Sequence, residues 1–237
     1  MKIKNNKGAT HVGVILSLVI FVGFLIFLYT VVTPGVQTQK NKQLATDYLK
    51  IKLQEEFSAN LTAVTITATY SSGADQCLQV DNLALGLENL NIVVKDNVGN
   101  IIDSEKQGNY LKIALDNADE FFKIYYSEEE FIAQQAPVCL TDITVYNVNS
   151  LKTSERIFET KIIDFFSRYE IDYEDLKESL DIPFETGFSF NFTYDNGTVV
   201  GPEITERYQE LYVEDFSVEY VNREANISAG TLTIMTW

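Results

Sequence analysis

A run of 21 residues without a charged side chain, VGVILSLVIFVGFLIFLYTVV at residues 12–32, dominates this sequence. As an α-helix the run spans about 31 Å, close to the roughly 30 Å thickness of a bilayer's hydrocarbon core. A cleavable secretory peptide has a shorter apolar core, of about 7–15 residues, followed by a small-x-small site. The sequence therefore predicts a transmembrane helix over residues 9–35 that stays on the protein, with Tyr29 near the far interface.

A second helix is predicted directly after the apolar run. Pro34 and Gly35 predict a break or bend, and residues 36–57 then have the pattern of an amphipathic stem helix. Leu44, Tyr48 and Ile51 recur at steps of four and three, beside a second set that recurs at steps of four. That second set is Ala45, Leu49, Leu53 and Phe57. Together the two sets are expected to form one broad apolar face.

The orientation in the membrane follows from the large C-terminal part, because lysines flank the apolar run on both sides and give no bias. Four N-x-[ST] sequons lie beyond the run, at Asn60, Asn191, Asn196 and Asn226. Such sequons matter only outside the cytoplasm, and an even pair of cysteines also suits an oxidising compartment. We expect a single-pass protein of the cell membrane with a cytoplasmic N-terminus and an extracellular C-terminal domain.

The N-terminus carries a family resemblance. The leader MKIKNNKG, residues 1–8, is short and basic, and the stretch KGATHVGVILSLVIFVGFLIFLYTVV that overlaps its end resembles the N-terminus of prepilins. The resemblance is to archaeal prepilin-like surface proteins with class III signal peptides. It implies that a prepilin peptidase cuts between Gly8 and Ala9, with Lys7 as the preceding basic residue. The alternative is an ordinary signal anchor in which the glycine occurs by chance.

The same resemblance bears on assembly. It implies that the apolar helix serves as a membrane anchor or as the packed core of a filament, with the bilayer and other pilin-like subunits as partners. Prepilins usually carry a glutamate at the fifth mature position, which here is Gly13. The sequence thus predicts a pilin-like anchored surface protein, a filament subunit or accessory with a structural or adhesive role. The alternative is a non-polymerising, anchored extracellular binding module.

Residues 58–237 are predicted to form one β-rich α+β domain with one or two packed helices, or two lobes covering 58–150 and 151–237. One helix is expected over residues 153–169, and a shorter one after Asp172 as its N-cap. Strands are expected at 61–70, 90–95, 101–102, 110–115, 121–126, 138–148, 188–194 and 198–200, with a final hairpin over 215–237. The chain should therefore end inside a sheet.

Cys77 and Cys139 are the only two cysteines. A bridge between them would close a loop of 62 positions and contribute roughly 4 kcal/mol, mainly by restricting the unfolded chain. Two buried free thiols are the alternative, since cysteine is a common core residue. The extracellular location favours the bridge.

Charge and residue types exclude several functions. The formal net charge of −16 repels phosphate backbones, so no nucleic-acid partner is expected. The single histidine, His11, lies at the apolar run, which leaves no histidine for a zinc site or a Ser-His-Asp triad in the outer domain. The acidic runs 116–120 and 128–130 lack the spacing of a calcium loop. We expect no metal, no cofactor and no enzymatic activity, although a Ser-Lys hydrolase or a carboxylate-pair glycosidase leaves no readable spacing.

Overall fold

A computed structural model describes residues 8–69, 76–81, 90–115, 121–202 and 211–237. The chain is an α+β protein in which one long N-terminal helix leads into a β-rich domain. Helix α1, Gly8–Phe57, has 50 residues and continues through Pro34 and Gly35. The predicted break at this pair is therefore wrong: a proline removes one backbone hydrogen bond, and the turns on either side keep theirs.

The domain contains twelve described strands in two sheets. They are β1 Ser58–Ala68, β2 Gln76–Asp81, β3 Asn91–Lys95, β4 Ser104–Gln107, β5 Tyr110–Leu115, β6 Phe121–Ser127, β7 Thr141–Ile143, β8 Tyr146–Phe158, β9 Phe188–Thr193, β10 Val199–Val200, β11 Tyr212–Val221 and β12 Ile227–Thr236. The large sheet has the order β10-β9-β12-β11-β8-β1-β6-β3, and the small sheet has the order β4-β5-β2-β7. Pairing is antiparallel except for β8 with β11 and β2 with β7.

Two short helices follow β8. Helix α2 is Glu159–Ile171 and helix α3 is Tyr173–Ser179. The predicted helix start at residue 153 is wrong, because residues 153–158 belong to β8, and residues 153–157 pair with β1. The helical stripe that begins at Phe158 is real, but a strand partner decides the conformation of the residues before it. Asp172 caps α3 as predicted: its Oδ1 accepts a hydrogen bond from the Asp175 backbone N–H at 3.0 Å.

Most strand predictions agree with the structure, and the exceptions are short segments whose conformation depends on their pairing partners. Residues 138–148 were expected to form one strand, whereas the structure has β7 and the start of β8 there, separated by Thr144 and Val145. Ile101 makes only an isolated bridge to Lys95 rather than a strand. Strands β2 and β4 were not predicted at all. Short polar strands such as β4 carry no periodic signal, so only their pairing partners define them.

The sheet end at β9 is built from aromatic residues. Phe188, Phe190 and Phe192 are fully buried, so this alternating row belongs to the core. Gly197 has a φ of 82°, which permits the tight turn between β9 and β10. The chain terminus is tied to this region, since Gly187 and Trp237 exchange two backbone hydrogen bonds of 3.1 Å.

Two main hydrophobic cores lie in the domain. The stem core joins the end of α1 to α2, α3 and the sheet end formed by β9, β12 and β11. The sheet core lies between the large and small sheets, with Val64, Ile66, Leu78, Ile113 and Phe122 at its centre. Strand β8 crosses residue 150 and joins the two parts of the large sheet, so the expected lobes 58–150 and 151–237 have separate cores but one shared sheet.

Candidate functional site

The first half of α1 is the most unusual surface of the molecule. Residues His11–Thr30 form a 20-residue stretch with a mean hydropathy of 2.8, none of it buried against the domain. Among the described residues this is the one helix long and apolar enough to cross a membrane. An uncovered apolar helix of this length needs either lipid or other apolar helices around it in order to avoid water.

The last turns of α1 belong to the domain. Leu49, Leu53 and Phe57 are at most 1% exposed and form part of the stem core. The Phe57 ring meets the Phe165 ring edge-on, with centroids 5.3 Å apart, and the Phe190 ring at 6.0 Å. Strand β1 begins at Ser58, immediately after the helix. The apolar half of α1 is therefore attached to the domain through a continuous helix and a packed core rather than a flexible linker.

Polar contacts fix α1 against the domain at several levels. Thr46 Oγ1 lies 3.0 Å from Thr236 Oγ1, and both residues are fully buried. The Tyr48 hydroxyl donates to the Leu180 carbonyl at 3.1 Å. Further along α1, the Lys50 ammonium lies 4.1 Å from the centroid of the Phe216 ring. These contacts hold the helix in one rotational position on the domain, since each requires a particular side of α1 to face inward.

The predicted broad apolar face of the stem is wrong. Leu44 and Ile51 are 58% and 56% exposed, and Tyr48 is 38% exposed, whereas the set that contains Leu49 is buried. At about 100° per residue the centres of the two sets lie about 150° apart, so they occupy nearly opposite sides of α1. The set with Leu49 packs into the domain, whereas Leu44 and Ile51 form an exposed apolar stripe on the outside of the stem. Tyr48 lies at the boundary, since its hydroxyl reaches the domain.

The structure describes only part of the predicted processing site. Gly8 is the first residue of α1 and Ala9 follows it in the helix, while Lys7 lies outside the described residues. Gly13 is on the helix surface, and a Cβ added there would meet nothing within 4 Å. A larger side chain at position 13, such as the usual glutamate of prepilins, would therefore cause no clash within this chain.

Cys77 and Cys139 are joined by a disulfide, with their Cα atoms 5.6 Å apart. Cys77 is buried on β2, whereas Cys139 is half-buried in the segment before β7. The bridge ties that segment to the small sheet. Lys112 and Asp142 form a 2.8 Å ion pair in the same region, and the ion pair raises the pKa of Lys112. Together with the bridge, this ion pair anchors β7 at the edge of the small sheet.

The four sequon asparagines differ in what their side chains contact. Asn60 and Asn196 are exposed, on β1 and at the tip of the β9–β10 turn. Asn196 Oδ1 accepts from the Thr198 backbone N–H at 2.8 Å, which leaves the amide nitrogen on the outer side of the turn. Asn191 is half-buried on β9, and a Cβ at Gly201 would lie 2.2 Å from its Oδ1. Asn60, Asn196 and Asn226 are thus exposed, whereas Asn191 is half-buried.

The side chain of Asn226 belongs to a hydrogen-bond network that the sequence did not indicate. Its Oδ1 accepts from the buried Lys95 ammonium at 2.5 Å, and its Nδ2 donates to Glu224 at 3.0 Å. Burial lowers the pKa of Lys95, the nearby Glu224 carboxylate opposes that shift and Lys123 adds to it. A glycan on Nδ2 would replace one of the two N–H groups of this nitrogen, next to its contact with Glu224.

The carboxylate of Asp96, next to Lys95 in sequence, is held by several hydrogen bonds. Asp96 Oδ1 accepts from the backbone N–H groups of Val98, Gly99 and Asn100, at 2.9, 2.6 and 2.7 Å. Burial alone would raise the pKa of Asp96, but these bonds and one from the Asn100 side chain outweigh it and lower the pKa. Residues 96–100 thus form a turn, and the aspartate that holds it binds the backbone rather than a ligand.

One of the cavities on the described surface is polar, has a volume of about 450 Å³ and lies near Asn60. It is lined by the start of β1, the end of β6, part of β8 and by Glu129 and Lys161. The Glu129 carboxylate accepts from Thr160 Oγ1 at 2.6 Å and lies 3.7 Å from the Lys161 ammonium. Glu129 is thus engaged by Thr160 and Lys161, and Glu128 and Glu155 also line the cavity.

No metal-binding group of three or more His, Cys, Asp or Glu side chains occurs among the described residues. Of the two predicted acidic runs, residues 116–120 lie outside the described chain. In the run 128–130, Glu128 and Glu130 are exposed and Glu129 is engaged at the cavity. The three carboxylates of this run therefore do not surround a common binding position.

Comparisons with known proteins add no family to this picture: no family model matches the chain, and no curated protein or solved structure is similar to it.

Proposed function

We propose that this chain is a pilin-like surface protein, held in the cell membrane by the first half of α1 with its β-rich domain outside. In this proposal a prepilin peptidase removes residues 1–8, and the remaining helix anchors the protein or packs among other pilin-like helices. The role is structural or adhesive rather than catalytic. The resemblance of residues 1–32 to prepilin N-termini supports the choice of family, and the length and exposure of α1 support its role as an anchor.

A single observation carries the proposal: one continuous helix is exposed and apolar over His11–Thr30 and built into the domain core at Leu49, Leu53 and Phe57. A signal anchor needs only the first property, because a flexible linker would serve as well. A rigid connection positions the domain at a fixed distance and angle from the membrane or from a bundle of helices. The exposed side chains of Leu44 and Ile51 form a separate apolar stripe near the domain, beyond the polar residues 37–43.

The second candidate function is a non-polymerising, anchored binding module, and Gly13 favours it. In prepilins the glutamate at this position pairs with the amino terminus of a neighbour during assembly. A glycine has no charge for that pairing. Because an unpaired charge in lipid is costly, such a pair would strongly fix how neighbouring helices align, and this chain lacks it. An anchored module would have the same helix and the same orientation, and would differ only in remaining a single unit.

Processing is tested by the mass of the mature protein. The full chain is expressed with a prepilin peptidase, and its N-terminus is determined by mass spectrometry from the washed membrane fraction. We expect the wild-type protein to begin at Ala9, and the Gly8→Val variant to keep its leader because a β-branched residue cannot replace glycine at the cleavage site. Gly13→Val is the matched control, which should be cleaved like the wild type.

Two results would contradict the proposal. A Gly8→Val protein that still loses residues 1–8 would show that the cleavage does not depend on the predicted site. Recovery of the wild-type protein in the aqueous fraction without detergent would show that α1 does not anchor it in the membrane. Electron microscopy of sheared surface material then separates the two candidates: filaments support the subunit, and their absence supports the module. If Gly13 is what prevents assembly, Gly13→Glu should produce filaments.

A further inference from the structure

Strand β8 has an unusual position in the large sheet. With 13 residues it is the longest described strand, and it lies inside the sheet order, between β1 and β11. Its pairing with β11 is limited to two residue pairs, Tyr220 with Ile157 and Val221 with Phe158. For residues 146–156 the only strand partner in the described chain is β1. Over most of its length, one side of β8 therefore has no backbone partner among the described residues.

The same part of β8 is exposed on its faces. Residues 147–153 are seven consecutive exposed positions, and Val148 and Leu151 are 53% and 52% exposed. These two side chains lie opposite Ile66 and Val64, which are fully buried in the sheet core. The apolar layer between the sheets thus runs out to the β8 edge without a cover. A further strand placed there would extend that layer by one row.

The charge distribution at this edge differs from that of the whole chain. The protein carries a net charge of −16, yet residues 143–154 contain no carboxylate and a single lysine, Lys152. The neighbouring strand β1 has no charged residue at all. Two copies of so acidic a protein repel each other wherever carboxylates approach. The β8 edge is a region where two copies can meet without bringing carboxylates together.

We propose that the β8 edge is a self-association surface, where β8 of one copy pairs antiparallel with β8 of a second copy. A two-fold interface uses the same patch on both partners, and a free strand edge is self-complementary because its donors and acceptors alternate. Backbone hydrogen bonds would supply affinity, and Val148 and Leu151 would be covered. In a pair centred on Ser150, Lys152 lies opposite Val148 of the second copy, so no like charges meet.

This inference rests on the proposed function in one respect, since anchors in one membrane hold the domains on the same side and raise their effective concentration. The edge also carries two features that limit unspecific pairing. Lys152 disfavours any register that places it opposite itself, and the irregularity between Thr65 and Ile66 in the β1 pairing locally distorts the strand. The edge is thus restricted to a few registers rather than open to any strand.

Disulfide cross-linking of the full chain in membrane vesicles tests the pairing. Single cysteines replace residues 148–152 one at a time, and the native cysteines remain bridged, so that each introduced thiol is the only free one. Antiparallel pairing about a two-fold axis brings one residue next to its own copy and separates the others progressively. We expect a covalent dimer on a non-reducing gel whose yield peaks at one position and falls within two residues on either side.

The control is Val199→Cys on β10, which is also exposed and also on a sheet edge. It should give only a background level of dimer. Adding Leu151→Glu to the best cross-linking variant should reduce the dimer yield about fivefold, because each copy then places a carboxylate in the interface. Val199→Glu in the same background should leave the yield unchanged.

A flat profile across residues 148–152, or a yield equal to that of Val199→Cys, would overturn the self-association. Fluorescence of Trp237, the single tryptophan, verifies that each variant is folded. All variants are compared in the washed membrane fraction. A protein that stays in that fraction without a cross-linking peak refutes the β8 pairing alone, whereas loss from the membrane refutes the anchor.

Discussion

The hydroxyl pair of Thr46 and Thr236 connects the stem to the last strand. Both residues are fully buried, and their Oγ1 atoms lie 3.0 Å apart. In a buried position each hydroxyl depends on the other for its hydrogen bond, because an unpaired polar group in a core is costly. The pair therefore fixes the height of α1 on the domain, since sliding the helix by one turn would separate the two oxygens by several ångströms.

Thr46→Val is expected to lower the free energy of unfolding by about 1–2 kcal/mol, because it leaves the Thr236 hydroxyl without its partner. Thr236→Val should have a similar effect. The double variant should cost less than the sum of the two, since no unpaired hydroxyl remains. Urea unfolding of the full chain in detergent, followed by Trp237 fluorescence, measures all three. Strictly additive effects would mean that the hydroxyl pair contributes no coupling.

At the scale of the element, α1 is one helix with two environments. Its first half lacks any packing partner in this chain, and its last turns complete the stem core with Leu49, Leu53 and Phe57. The exposed stripe that contains Leu44 and Ile51 lies on the opposite side. A helix that were only a membrane anchor would have no reason to bury one side in the domain and keep apolar residues on the other.

Leu53→Ala is expected to destabilise the domain by about 2–5 kcal/mol, because a fully buried leucine leaves both lost contacts and a cavity. Ile51→Ala is the matched control on the same helix: with 56% of its surface exposed, it should change stability by no more than about 0.5 kcal/mol. Both are measured by urea unfolding in detergent. Equal effects of the two substitutions would contradict the rotational position of α1.

For the whole molecule, the main question is what holds two cores and two sheets together in a chain with a net charge of −16. The large sheet links the cores through β8 and β1, which share an eleven-pair register. The small sheet contacts the large one through the sheet core, and the Cys77–Cys139 bridge ties the segment before β7 to β2.

Replacing the bridge by Cys77→Ala and Cys139→Ser is expected to cost about 4 kcal/mol, from the conformational freedom that a 62-residue loop regains in the unfolded chain. Thermal unfolding of the full chain in detergent, with and without a reducing agent, measures the effect. The reducing agent should lower the midpoint of the wild type and leave that of the double variant unchanged. A wild-type protein insensitive to complete reduction would show that the bridge does not contribute to stability.

The sequence alone determined the local features of this protein. A charge-free run of 21 residues predicts a helix long enough for a membrane, alternation predicts β5, β6 and β9, and Asp172 predicts the start of α3. Each of these depends on interactions between residues close in sequence, which composition and spacing record directly. The same applies to the turn at residues 96–100, where one aspartate binds the backbone just after it.

The tertiary structure decided whatever depends on distant partners. Residues 153–158 have a helical pattern but form β8, because Ser58 and its neighbours offer a strand to pair with. Only the packed domain selects which of two apolar sets on α1 is buried. Only the large sheet shows that most of the outer side of β8 has no strand partner in the described part of the chain. Lys95 and Asn226, 131 positions apart, meet for the same reason. Contacts of this kind leave no trace in local periodicity, since their energy arises between segments that the sequence keeps apart.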